Sequence, residues 1–219
     1  MGRGLAGFLS MDAMPPADPF AVATLEELAR HYDPPRELVL KKVIPRLEAK
    51  AMAFIAASPF VILATVGPEG VHATPRGDAP GFIQALDDRT LALPDRRGNN
   101  RLDALRDIIA NPEVALLFLV PGVGEALRVN GTARITADPA LRGRFEERGK
   151  LPATVVLVSL REAYMQCAKA VMRSKLWGER ERPGTVPSMG EIISAHTGGM
   201  VDPASYDKEA PQRLIDTMY

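Results

Sequence analysis

The spacing of apolar residues changes character near residue 58. Before it, Leu47, Ala51, Phe54 and Ile55 recur at three- and four-residue intervals, the signature of one helical face. Thr24-Leu25-Glu26-Glu27 has the capping-box spacing and predicts a short helix running toward Arg30. After the Asp33-Pro34-Pro35 turn, residues 37–57 read as helix, interrupted or restarted at Pro45. Met1–Pro19, with early glycine and three prolines, predicts a loosely structured start.

From Phe60 the period shortens to that of strands. Residues 60–66 and 70–74, joined by Gly67-Pro68-Glu69-Gly70, predict a hairpin. Residues 81–86 and 90–93 form a second pair around Asp87-Asp88. Asn100 opens a helix that stops before Asn111-Pro112. Val114–Val120 is an almost unbroken apolar strand, and the chain returns along Ala126–Thr136 after Pro121-Gly122-Val123-Gly124. A short helix over 139–148 precedes a long strand beginning at Thr154, and residues 188–195 and 203–218 predict two terminal helices. Six or seven short strands with tight turns and one intervening helix predict a mainly β fold with flanking helices, built as a closed antiparallel barrel. Strict βα alternation is missing, which argues against a doubly wound nucleotide fold.

Composition narrows the function classes. Among 219 residues, Lys plus Arg and Asp plus Glu each total 27, so the formal charge is zero. That balance, with 5% aromatic residues, argues against a nucleic-acid-binding surface. The single cysteine, Cys167, cannot form an intrachain disulfide and reads as a semi-buried structural thiol. The sequence shows no secretory signal pattern and no apolar run long enough for a bilayer, so a cytoplasmic location without membrane attachment is expected. His31, His72 and His196 lie in unrelated segments and predict no metal site.

Three segments carry candidate chemistry. In Thr74-Pro75-Arg76-Gly77, the proline places the strand at an edge, where Thr74 and Arg76 can face a ligand. The plainer alternative is a strand ending in an exposed arginine. In Gly98-Asn99-Asn100-Arg101, a helix start with unpaired amides and a neighbouring arginine forms an anion site. Asn100 alternatively serves as a simple N-cap. The third segment, 167–177, concentrates Lys169, Arg173, Ser174, Lys175 and the only tryptophan, Trp177. It is either a solvated surface helix or a lid bringing cations and an aromatic plane to a flat anion.

Taken in order, these landmarks resemble the pyridoxamine 5′-phosphate oxidase-like, FMN-binding split-barrel family, and the resemblance runs from about Pro45 to Trp177. It rests on Ala64-Thr65-Val66, Ala73-Thr74-Pro75-Arg76-Gly77-Asp78, Leu93-Pro94-Asp95-Arg96, Gly98-Asn99-Asn100-Arg101-Leu102-Asp103, Leu127-Arg128-Val129-Asn130-Gly131 and Arg173-Ser174-Lys175-Leu176-Trp177. The resemblance implies a six-stranded antiparallel split barrel spanning 45–178, with an N-terminal helical extension over 1–44 and a C-terminal extension over 179–219. It further implies a homodimer with FMN at the subunit interface. Thr74, Pro75, Arg76 and Gly77, with Pro94 and Asp95, would line the flavin and ribityl chain, and Asn99, Asn100 and Arg101 would take the phosphate. From the second subunit, Glu125, Arg128, Lys169, Arg173, Ser174, Lys175 and Trp177 would cover the ring. The implied activity is FMN-dependent oxidation or reduction of a small molecule, with no assignable catalytic side chain. The Arg- and His-bearing terminal segment of relatives that oxidise pyridoxamine phosphate is not found, so another substrate is expected. The alternative is a non-enzymatic flavin- or haem-binding carrier or sensor.

Overall fold

A computed structural model describes residues 18–178 and 183–219, in two units that divide between Lys41 and Lys42. Residues 1–17, most of the expected loose start, lie outside the described residues, as does Arg182. The first unit contains α1 (Leu25–Ala29) and α2 (Glu37–Lys41). The capping box forms as its spacing predicts: Thr24 Oγ1 accepts from Glu27 N–H, and the Glu27 carboxylate accepts from Thr24 N–H.

The second unit begins with the interruption expected around Pro45, between α2 and the next helix. Pro45 lies in a bend, and Ile44 just before it pairs with Ala163 by two backbone hydrogen bonds. Helix α3 (Ala49–Ala57) then restarts, with the Glu48 carboxylate accepting from Lys50 and Ala51 N–H. Seven strands follow: β1 (Phe60–Gly67), β2 (Gly70–Gly77), β3 (Gln84–Ala85), β4 (Thr90–Asp95), β5 (Glu113–Leu119), β6 (Ala126–Thr136) and β7 (Thr154–Gln166). They form one antiparallel sheet in the order β2-β1-β5-β6-β7-β4-β3. The extra strand relative to the expected six is β3, which pairs two residues with β4; Gly81, expected in that strand, turns the chain with φ +88°.

The sheet does not close by backbone pairing, since β2 and β3 are its edges. It curls, and its inner face gathers Val61, Leu63, Leu91, Leu93, Leu116, Phe118, Leu127, Val129, Val156 and Val158 into one core. A register shift between Asn130 and Gly131 bends the long β6–β7 pair. Any Cβ at Gly131 would lie 2.1 Å from the Ser159 carbonyl oxygen, so the bulge requires glycine. Helix α4 (Asp103–Ala110) lays Ala104 and Ile108 on this core, as does α3 with Ala51 and Ile55. On the other side of β4 and β7, Ala92, Val155 and Leu157 form a small cluster with Phe145, beyond the short α5 (Pro139–Gly143).

Helix α6 (Lys169–Ser174) stops at Lys175, which has φ +50°, so Lys175 and Trp177 follow the helix rather than continue it. Cys167 is exposed, correcting the semi-buried reading: its side chain emerges where β7 gives way to α6. The terminal helices are α7 (Met189–His196) and α8 (Pro203–Asp216), with α8 carrying Pro211 inside it. No helix among the described residues is long and apolar enough to cross a membrane.

Candidate functional site

Strand β2 is an edge strand with an unusual inner face. Its more buried positions are His72, Thr74 and Arg76, continued by Asp78, and they alternate with the more exposed Val71, Ala73, Pro75 and Gly77. Where the neighbouring β1 points Val61 and Leu63 into the core, β2 points polar groups toward the split. Pro75, which cannot donate to a ladder, is tolerated because the edge needs no second partner.

The split is spanned by two reciprocal ion pairs. Arg76 of β2 donates from Nη1 to Asp95 of β4 at 2.5 Å. Arg96, just past β4, donates from Nε to Asp78, just past β2, at 2.7 Å, and also to the Phe145 carbonyl. Side chains therefore do here what a further row of backbone bonds would do in a closed barrel. Charge-assisted pairing of this kind depends on guanidinium geometry.

Beside these pairs lies a cavity of about 1010 Å³. Among the sequence-predicted residues, Thr74, Pro75, Arg76, Asp95, Asn99, Asn100 and Arg101 line it. Gly77 and Pro94 line an adjoining cavity of about 380 Å³. Arg96, Arg97, Lys150–Thr154 and Tyr219 also line the large cavity and are not among the site residues expected from the sequence. Arg96 and Arg97 sit beside predicted residues, whereas the 150–154 segment and Tyr219 carry no local signal and arrive only through the fold. The wall holds five cations (Arg76, Arg96, Arg97, Arg101 and Lys150) against the carboxylates Asp95 and Asp103. A chain of zero net charge thus concentrates positive charge here.

Among the described residues, two buried side-chain polar atoms have no hydrogen-bond partner: Arg76 Nε and Thr154 Oγ1. Both residues line the large cavity. An unpaired buried donor costs about 1–3 kcal/mol, a cost that an anionic or carbonyl-bearing ligand would remove. The donor set therefore fits a phosphorylated, acceptor-rich ligand.

The start of α4 differs from expectation. Asn100 does not cap the helix; it has φ +60°, and so does Leu102 at the N-cap position, which makes no side-chain cap. Two left-handed residues turn the chain before the helix begins at Asp103. Asn99 Oδ1 instead accepts from Arg101 N–H, and the Arg101 side chain donates to Asp103. Asp103 supplies negative charge in the first turn, where the helix dipole favours it.

The remaining predicted residues gather elsewhere in the chain. Trp177 donates from Nε1 to the Val123 carbonyl at 2.6 Å, tying the end of α6 to the β5–β6 turn. Gly124 permits this approach, since a Cβ there would come within 2.8 Å of the Ala168 Cβ. Arg128 of β6 lies over the Tyr164 ring, 5.2 Å from its centroid. Glu125, Lys169, Arg173, Ser174 and Lys175 occupy the same end, and none of this group lines the large cavity.

A second polar cluster joins β1, β2 and α4. Buried Asp107 accepts from Thr65 Oγ1 at 2.6 Å and from His72 Nδ1 at 2.7 Å. The Thr65 and His72 hydrogen bonds hold the Asp107 carboxyl below its usual range, and the Asp107 carboxylate raises His72. Gly67 makes room: a Cβ would stand 2.0 Å from Asp107 Oδ1. This cluster pins the hairpin to the helix.

The family model described as pyridoxamine 5′-phosphate oxidase matches residues 47–167. No curated protein matches the chain. Among solved structures, HupZ of Group A Streptococcus is 17% identical, over 53% of this chain and 91% of its own, with a TM-score of 0.45. General Stress Protein 26 from Bacillus anthracis str. Sterne is 21% identical, over 52% and 88%, with a TM-score of 0.40. A NimC/NimA family protein from Clostridium acetobutylicum is 18% identical, over 54% and 86%, with a TM-score of 0.37.

Proposed function

Since the chain belongs to the pyridoxamine 5′-phosphate oxidase family, we propose that it is a homodimeric FMN-binding protein acting as an FMN-dependent oxidoreductase on a small molecule. The observation that carries this reading is the pair of unpartnered buried groups, Arg76 Nε and Thr154 Oγ1, in a cavity of about 1010 Å³ whose wall holds five cations against two aspartates. In this reading residues 45–178 form the cofactor domain, flanked by the 1–44 and 179–219 extensions. Thr74, Pro75, Arg76, Gly77, Pro94 and Asp95 hold the ring and ribityl chain, while Asn99, Asn100 and Arg101 hold the phosphate. Bound FMN supplies the hydride or electron chemistry.

The chain's own part is positioning. Arg76 is fixed by Asp95 and keeps Nε for a ligand acceptor, where it can offset negative charge developing on a bound ring. The cation-rich wall draws in an anion, and the paired carboxylates keep the guanidiniums in place before it arrives.

Dimerisation rests on the outer face of β2, β1 and β5. Ile62, Ala64 and Val66 sit opposite Pro75, Ala73 and Val71, and Ile62 and Ala64 opposite Leu117 and Ala115. This apolar face is half-buried or exposed throughout in the single chain. A second copy on it would cover the face and bring its own Glu125, Arg128, Lys169, Arg173, Ser174, Lys175 and Trp177 toward the first copy's cavity.

The decisive experiment is the visible spectrum of freshly purified protein, with chromatography of any cofactor released by heat. A flavin spectrum and released FMN are expected. A colourless protein that refuses added FMN overturns the reading. For the activity itself, single-turnover flavin reduction by a nicotinamide, an amine or a quinol is expected, and inertness toward all three leaves only a carrier.

A further inference from the structure

Arg76, Asp95 and Thr154 come from three strands, β2, β4 and β7, and meet at one end of the sheet's inner face. Asp95 ends the β4 row of Leu91 and Leu93, and Thr154 begins the β7 row of Val156 and Val158, all four of them in the main core. Asp95 and Thr154 are direct partners in the β4–β7 register. Partners of this kind keep their side chains on one face, with Cβ atoms about 4.5–5.5 Å apart. From across the split, Arg76 Nη1 reaches Asp95 Oδ1 at 2.5 Å. All three residues line the large cavity.

The hydrogen-bonding capacity left over in this trio has an order. Arg76 Nε is a buried donor with no acceptor, and Thr154 Oγ1 is a buried hydroxyl with no partner. Asp95 adjoins both, bonded to Arg76 on one side and registered against Thr154 on the other. Its Oδ1 takes the guanidinium bond, which leaves Oδ2 as an acceptor. The trio therefore presents donor, acceptor, donor. A phosphate would satisfy the two outer donors, but it would set its negative charge against the Asp95 carboxylate. This corner calls instead for an N–H flanked by two carbonyl oxygens. Valine would fill the place of Thr154 without an unpaired hydroxyl, whose burial costs about 1–3 kcal/mol when it stays unpaired.

We propose that Arg76, Asp95 and Thr154 form a subsite for the imide edge of a planar heterocycle. In the flavin proposed above, on which this inference rests, that edge is C2=O, N3–H and C4=O. Arg76 Nε donates to one carbonyl, Thr154 Oγ1 donates to the other, and Asp95 accepts from N3–H. Thr154 is thereby a binding residue outside the set expected from the sequence. The imide end of the ring enters the barrel, and the phosphate is left to Arg101 and its neighbours.

The test is fluorescence titration of FMN and of N3-methyl-FMN into the cofactor-free protein, Thr154→Val and Thr154→Ser. The methyl group removes the imide donor and leaves the phosphate and ribityl chain intact. N3-methyl-FMN is expected to bind the unsubstituted protein about tenfold more weakly than FMN. Thr154→Val should weaken FMN by a similar factor, and Thr154→Ser should restore it. The two losses should not add, because the methyl already holds the edge away from the hydroxyl. Thermal melting of cofactor-free Thr154→Val should show no loss of stability, since the hydroxyl has no partner to lose. FMN binding with N3-methyl-FMN within about twofold, or Thr154→Val binding FMN as the unsubstituted protein does, overturns this inference alone. Failure to bind FMN at all overturns the flavin reading and this inference with it.

Discussion

Arg76 shows how much one position asks of its residue type. It sits on an edge strand, points inward, bridges the split to Asp95 and keeps a buried Nε unpaired. Arg76→Lys retains a cation for Asp95 but loses the planar fork. It should weaken FMN binding about tenfold, the loss of one charge-assisted bond; fluorescence titration giving an affinity within about twofold would remove Nε from the site. Gly67 is constrained by space rather than by φ. Gly67→Ala drives a methyl into Asp107 Oδ1, and thermal melting should register about 1–3 kcal/mol of lost stability as the Thr65–Asp107–His72 bonds break. The same cluster sets a pH dependence. His72 lies above its ordinary 6.5, so its contribution is complete below 6.5 and fades as pH rises through the folded-state value. Asp107 lies below its ordinary 3.8, so its contribution is complete above 3.8 and fades as pH falls through the folded-state value. The cluster stabilises most between 3.8 and 6.5, and melting temperatures should decline on the alkaline side less steeply in His72→Gln.

Elements were legible where local chemistry and tertiary demand agree. The β1–β2 hairpin follows from alternation around Gly67-Pro68-Glu69-Gly70, and Gly70 takes φ +119° at its turn. Helix α4 shows the opposite. Asparagine is a good cap in isolation, yet Asn100 and Leu102 both go left-handed and the helix starts at Asp103, because Ala104, Asp107 and Ile108 must face the barrel. Neighbouring isoleucines in this helix make a direct comparison: Ile108 is 4% exposed and Ile109 is 79% exposed. Urea unfolding should show Ile108→Ala costing about 2–5 kcal/mol, and Ile109→Ala changing stability by no more than about 0.5 kcal/mol. Equal costs would mean that α4 does not pack as described.

For the whole molecule, the outer face of β2, β1 and β5 is the feature most in need of a partner. Ala73→Glu places a charge at an exposed position on that face, opposite Ala64. Sedimentation should show a dimer for the unsubstituted protein and a monomer for the variant, with FMN retention falling alongside. An unchanged mass would place the interface elsewhere. The β1–β2 hairpin, the β5–β6 return and the family landmarks follow from the sequence alone, because period, turn residues and motif order are local properties. Tertiary structure alone decided which edges of the sheet face one another and which distant groups complete the cavity wall. Arg76 meets Asp95, Asp78 meets Arg96 and Tyr219 arrives from 141 residues beyond Asp78 because the sheet curls around one core. Such pairings depend on sheet order and curvature, which no window of sequence encodes.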